Sequence, residues 1–170
     1  PSDKSTLFKE MEINQYYMDI QKQRYNGRLT FQTSVETVLP DIYCPPFMIQ
    51  PLLENALVHG VSKSLAKSQV CLRTCRDDDD YVIRIEDDGN TLTEERCRLV
   101  NQVLRAETPA TAICGEQNGF ALHNVAERLR LFYNGHASLR LLKDGEWTVS
   151  EIRIEGEEWR ERCVQDSDRG

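Results

Sequence analysis

Apolar residues recur along this chain with two different periods, and the switches between them mark out the elements. From Leu7 to Arg24, Leu7, Met11, Ile13, Tyr17, Met18 and Ile20 form a broad apolar stripe among Glu10, Glu12, Lys22 and Arg24. That spacing predicts an amphipathic helix, closed by Asn26-Gly27. Arg28–Val35 alternates, with Leu29, Phe31 and Thr33 on one side, as a half-buried strand does. Pro40, Pro45 and Pro46 lead into a second helical stretch, Phe47–His59, with Gly60 as its stop. Val70–Arg76 and Tyr81–Glu86 then read as a hairpin joined by Asp77–Asp80, whose aspartates lack the glycine and terminal glutamate of a calcium loop. Thr93–Ala106 reads as a capped helix and Glu107–Gln117 as a mobile loop. Leu122–Tyr133 has the clearest helical period, with Leu122, Val125, Ala126, Leu129, Phe132 and Tyr133 at i, i+3, i+4 spacing. A last hairpin joins Ala137–Leu142 to Trp147–Ile154 through Lys143-Asp144-Gly145.

This order of elements predicts an α/β fold, a two-layer α/β sandwich. Its sheet is expected to be mixed and mostly antiparallel, with the helices packed on one face. Residues 1–27 are expected to be a helix linking to a region outside the chain, 28–156 the folded domain, and 157–170 a flexible, patternless tail. A first residue other than methionine predicts a piece of something longer.

Composition narrows the partners. The chain has 170 residues, 39% hydrophobic and 29% charged, which suits one soluble globular domain with a substantial core. A net charge of −7 argues against nucleic acid or an anionic membrane as a partner. Phosphates are then bound only through a local device: a metal ion, a helix N-terminus or close backbone. None of the six cysteines forms a C-x-x-C pair or a zinc-like cluster, so they read as reduced packing residues of a cytosolic setting. No secretory signal or membrane-length apolar run is present.

Three polar or glycine features sit at junctions between elements. Glu54, Asn55 and His59 interrupt an apolar helix, and the last two lie one turn apart on the same face. A carboxylate, an amide and an imidazole are costly there unless something uses them. Asp87 and Gly89 directly follow a strand, where a carboxylate accepts from an amino group. Asn118-Gly119-Phe120-Ala121-Leu122-His123-Asn124 is a small-residue turn opening the best helix, where free N–H groups favour an anion. An Asn beside phosphates completes the oxygen shell of Mg²⁺, which keeps water and phosphate as its other ligands.

In this order "QPLLENALVHG", "IEDDG" and "NGFALHNVAERLRLFYNG" resemble the N, G1 and G2 boxes of a GHKL (Bergerat-fold) ATP-binding domain. The stretch "YYMDIQKQRYNGRL" and the strand "WTVSEIRIE" narrow the likeness to the cytoplasmic part of YesM/LytS-type sensor histidine kinases. The resemblance covers Leu7–Glu155 and implies ATP and Mg²⁺ as cofactors. It makes Asn55 the metal ligand, Glu54 the base or polariser for a phospho-accepting histidine, and His59 a neighbour of the phosphates. Asp87 is then the reader of the adenine amino group, with Gly89 in close backbone approach and Thr148 supporting the same side. Gly119, Phe120, Ala121 and Leu122 border the phosphates, with Asn124 close by.

The resemblance also implies partners: a response regulator, and the phosphoacceptor and dimerisation helices of the parent protein, itself a homodimer. It implies the cytoplasmic portion of an inner- or plasma-membrane receptor. The acceptor motif is absent here, since His59, His123 and His136 all lie elsewhere. Three positions depart from the family pattern: Thr91, Ala121 and Trp147 each replace a glycine. Side chains at these places are expected to resist positive φ and narrow the pocket. Two alternatives therefore stay open, a degenerate module that signals through contacts, and another GHKL ATPase or serine kinase.

Overall fold

A computed structural model describes residues 4–61, 67–89, 91–107, 109–113 and 119–165. The elements run β1 (Ser5–Thr6), α1 (Leu7–Arg24), β2 (Leu29–Val35), β3 (Tyr43–Cys44), α2 (Gln50–His59), β4 (Ser68–Asp77) and β5 (Asp80–Asp87). They continue with α3 (Glu94–Leu104), a 3₁₀ turn (Ala110–Ile113), α4 (Gly119–Phe132), β6 (Ala137–Asp144), β7 (Trp147–Ile154) and α5 (Gly156–Glu161). The main sheet is five-stranded in the order β2-β4-β5-β7-β6. Only β2 and β4 pair in parallel; the other neighbours are antiparallel, so the sheet is the expected mixed one.

Register explains the two faces. Val70, Leu72 and Thr74 of β4 stand opposite Asp87, Ile85 and Ile83 of β5, which face Thr148, Ser150 and Ile152 of β7. These residues are buried, and the helices supply the other half of one core through Leu52 and Leu53 of α2, Val100 and Val103 of α3, and Val125 and Leu129 of α4. On the opposite face Glu151 is wholly buried beneath Arg84, at 2.7 Å, and Arg140, at 2.6 Å. The arginine stems thus shield the Glu151 carboxylate.

Four expectations change. The apolar stripe of α1 is not the one that packs. Leu7, Met11 and Met18 are buried together with Glu10, Asn14 and Gln21, whereas Ile13 and Ile20 are exposed. The 3- and 4-residue steps 7, 11, 14, 18 and 21 define the inward face, where Asn14 donates to the Glu10 carbonyl at 2.7 Å. The second helix starts at Gln50, because Phe47 has a positive φ of 57° that no helix accepts. The aspartate-rich hairpin has a tip of only two residues, since Asp77 still pairs with Asp80, and Asp78 takes the left-handed conformation.

The tail from 157 is not the expected flexible one as far as Gln165. Trp159 of α5 packs edge-to-face on Tyr81 with ring centroids 5.6 Å apart, and its indole donates to the Asp79 carbonyl at 2.8 Å. A six-residue helix is too short to show a period, yet one aromatic ring carries enough apolar area to dock it. Residues 166–170 lie outside the described residues, as do 108 and 114–117 of the loop expected at Glu107–Gln117.

Candidate functional site

The α2 segment takes its conformation from Pro51 in its first turn, where the missing N–H would have no helical partner. Gln50 donates to the Glu54 carboxylate at 2.9 Å, along the solvent side of the same turn. Leu52, Leu53, Ala56 and Leu57 anchor the helix to the core. Asn55 is only 8% exposed, and its amide has no hydrogen-bond partner among the described residues. His59 is half-buried at the end of the helix. Tyr17 of α1 also approaches this surface: burial pushes its hydroxyl pKa up, and the Glu54 carboxylate adds to the effect.

The strand β5 ends on Asp87, placed by register between Val70 and Thr148 on the helix-covered face. Asp87 is 4% exposed, and among the described residues its carboxylate accepts one hydrogen bond, from the Gly89 N–H at 3.1 Å. Burial pushes its pKa up to about 7; the Gly89 N–H opposes the rise and the neighbouring Asp88 charge adds to it. Asp88 itself pins the strand end to the start of β4, accepting from the Gln69 N–H at 2.8 Å and donating its own N–H to the Gln69 carbonyl at 3.2 Å. Thr148, 7% exposed, is Asp87's cross-strand neighbour on β7.

The end of α2 meets the end of β5 by bare backbone. A Cβ on Gly89 would lie 2.2 Å from the Gly60 Cα, and one on Gly60 would lie 2.3 Å from an Asp87 carboxylate oxygen. Neither glycine has a positive φ; Gly60 sits at −90°. What requires glycine at both places is space, not conformation. The Thr91 hydroxyl completes the junction by donating to the His59 carbonyl.

The third feature opens α4. Leu122, Val125, Ala126 and Leu129 are buried, Ala121 is half-buried, and Phe120 and Asn124 are exposed. Ala121 and Asn124 line a groove of about 480 Å³ with Pro51, Glu127, Arg128 and Leu131. Arg128 fastens that groove by donating to the Pro46 and Phe47 carbonyls at 2.6 and 3.0 Å. Gly119 is the first residue of α4; Asn118 lies outside the described residues. His123 is half-buried.

Asp87, Gly89, Thr148 and the end of α2 at His59 thus converge, with Asn55 one turn back along α2. Phe120, Ala121, Leu122 and Asn124 form a separate stretch that meets α2 at Pro51. Among the described residues, Thr91, Ala121 and Trp147 all avoid positive φ, so the expected backbone strain does not arise. Sequence reasoning missed Gly60, Asp88 and Gln50. Gly60 had a signal in the His59-Gly60 pair, but a glycine after a helix reads first as a stop. No cluster of three or more His, Cys, Asp or Glu side chains suited to a metal occurs among the described residues.

Residues 47–159 match the family of histidine kinase-, DNA gyrase B-, and HSP90-like ATPases. Sensor protein LytS of Oceanobacillus iheyensis is 30% identical over 123 residues, covering 72% of this chain and 20% of the relative. The sensor histidine kinase/phosphatase LytS of Staphylococcus aureus is 28% identical over 136 residues, covering 79% of this chain and 22% of the relative. The chain therefore spans about a fifth of the length of these two curated relatives. Among solved structures, the catalytic domain of histidine kinase ThkA superposes with a TM-score of 0.63 at 10% identity, covering 92% of this chain and 99% of that one. At that identity the likeness concerns the fold.

Proposed function

Because this chain belongs to the family of histidine kinase-, DNA gyrase B-, and HSP90-like ATPases, we propose that it is the ATP-binding catalytic domain of a two-component sensor histidine kinase. The γ-phosphate of ATP passes to a histidine outside this chain, and from there to a response regulator. The observation that carries the reading is Asp87: a residue 4% exposed, at a strand end, whose carboxylate has a single hydrogen-bond donor among the described residues. Burying such a group is costly unless a ligand uses it, and the exocyclic amino group of adenine is a donor of the right kind. Gly60 and Gly89 leave the space beside it free of side chains.

The residues present suit Mg²⁺ through Asn55, a nearly buried amide without a partner among the described residues. Mg²⁺ takes few protein ligands and many from phosphate and water, so one amide oxygen is enough when the nucleotide brings the rest. When bound, the ion supplies neutralisation of phosphate charge. The side chains do the positioning: Gln50 holds Glu54 by a 2.9 Å hydrogen bond, leaving its carboxylate to orient or polarise the incoming imidazole. His59 and the α4 segment Gly119–Leu122 with Asn124 border the phosphates. Among the described histidines, His136 is engaged with Glu155 at 2.7 Å on the far hairpin, away from this site.

The parent protein carries the acceptor helices, dimerises through them and is anchored in a membrane with this domain on the cytoplasmic side. Among the described residues no helix is long and apolar enough to cross a membrane. Calorimetric titration with ATP, with and without Mg²⁺, tests the reading. The wild type is expected to bind, and Asn55→Ala to lose the Mg²⁺-dependent part of the affinity, about 10- to 100-fold, the scale of a hydrogen bond or contact to a charged group. Absence of binding by the wild type at millimolar Mg²⁺-ATP would remove the proposal.

A further inference from the structure

We propose that Thr91 is a positioning residue for the nucleotide site: its hydroxyl clasps the last carbonyl of α2 and so holds Gly89 against Gly60, fixing Asp87. The inference rests on the nucleotide-binding reading for its consequence, but its structural part stands on the junction alone.

The C-terminal end of α2 carries no left-handed glycine cap. The last carbonyls of a helix have no intrahelical partner, and a common remedy is a glycine in the left-handed conformation whose following N–H groups fold back. Gly60 does not do this; it stays at φ −90°, with its own N–H on the Ala56 carbonyl at 2.8 Å. The next carbonyl, that of His59, is satisfied from another element by the Thr91 side chain. A glycine at position 91, as the family pattern has it, offers no hydroxyl to do so.

The junction needs such a fastening. Gly60 and Gly89 meet through backbone atoms, with no side chain from either to interlock. The contact is close but buries little apolar area, so packing alone holds it weakly. Polar ties hold the end of β5 on two sides instead. Asp88 exchanges two hydrogen bonds with Gln69 at the start of β4, and Thr91 reaches the end of α2. Asp87 lies beside both ties, its carboxylate oxygen bonded to the Gly89 N–H. Loosening the Thr91 side lets Gly89 drift from Gly60 and releases that bond. The substituted glycine thus tightens the site.

The test compares the wild type with Thr91→Val, which keeps the shape and removes the hydroxyl, and Thr91→Ser, which keeps the hydroxyl. Amide hydrogen exchange at Gly89 reads the clasp without any nucleotide. Thr91→Val is expected to speed it about five- to tenfold, the worth of one neutral hydrogen bond, while Thr91→Ser stays within about twofold of wild type. Exchange at Ile83 and Ile85, inside β5, is expected to be equal in all three proteins, which separates a local effect from general destabilisation. Titration with Mg²⁺-ATP is expected to show a matching loss of affinity in Thr91→Val and its recovery in Thr91→Ser. Equal Gly89 exchange in all three proteins overturns the clasp. Faster exchange with unchanged affinity overturns the positioning role. A wild type that binds no nucleotide, with exchange that still follows the hydroxyl, supports the clasp and removes only the function reading.

Discussion

The two halves of the candidate site are built on opposite principles. Around Asp87 the structure is closed: Gly60 and Gly89 touch by backbone, Asp88 and Thr91 fasten the strand end, and no Cβ can be added at either glycine without displacing something. Around α4 it is open: Phe120 and Asn124 are exposed, and Ala121 lines a groove with Pro51 rather than filling a gap between backbones. In the proposed reading the closed half takes a rigid, flat base and the open half a charged group of changing geometry. The difference has a consequence for substitutions. The same one-carbon change should be severe in the closed half and nearly silent in the open half.

The largest effect is expected from Gly89→Ala. Its methyl group would sit 2.2 Å from the Gly60 Cα, where nothing but backbone can yield. Overpacking in a well-packed region costs about 1–3 kcal/mol, and more when the obstacle is backbone. Urea denaturation should therefore show a loss of about 3 kcal/mol, with nucleotide binding abolished even at denaturant concentrations where the variant is still folded. A variant with wild-type stability and affinity would break the comparison, because the closed half would then tolerate a side chain after all.

How much of this was legible in the sequence follows the same division. Asp87 could be found because a clean alternation, Tyr81, Ile83 and Ile85, runs into a carboxylate on the same face. Asn55 and His59 stood out as polar residues in an apolar helix. Gly60 did not, since a glycine after a helix is ordinarily a conformational stop, and only the three-dimensional approach of β5 reveals that it is there for space. The burial of Asn14 and Gln21 in α1 was hidden for a different reason. Their inward face is defined by what α1 packs against, while the more hydrophobic Ile13 and Ile20 face outward. Trp159 shows the limit at the other end, since a six-residue helix held by one ring has no period to detect.

An intermediate effect is expected from Asp87→Asn, and it carries a pH signature. Burial holds the Asp87 carboxyl at about 7, against an ordinary value of 3.8. Between those two values the folded state binds a proton that the unfolded state has released. Stability therefore falls as pH rises through that window, and the full penalty is present above about pH 7. The penalty amounts to about 4 kcal/mol. An amide in place of this carboxyl carries no such penalty, so the variant should gain stability relative to wild type as pH rises from about 4 to about 8, with the pH-dependent part of the difference vanishing below about pH 4. Nucleotide binding should weaken by about 10- to 100-fold, the loss expected when a charged acceptor is replaced by a neutral one. Chemical denaturation across that pH range and titration at the alkaline end of it measure the two parts. A difference in stability independent of pH would mean that Asp87 is not held in the dry surroundings that distinguish the closed half.

The smallest effect, and the sharpest test of the open half, is expected from Ala121→Gly, which restores the residue of the family pattern. If Ala121 obstructed the phosphates, removing its methyl group should strengthen nucleotide binding. Its surroundings argue otherwise: it is half-buried in α4 without positive φ, beside a groove of about 480 Å³, so the methyl group neither strains the backbone nor blocks a close approach. The change should cost about 0.5–1 kcal/mol of stability through the greater freedom of glycine in a helix. Affinity for Mg²⁺-ATP should move by no more than about twofold, as for a substitution at the rim of an open groove. A gain of about tenfold would show that this half also depends on bare backbone, and that the Ala121 methyl group stands where a phosphate belongs.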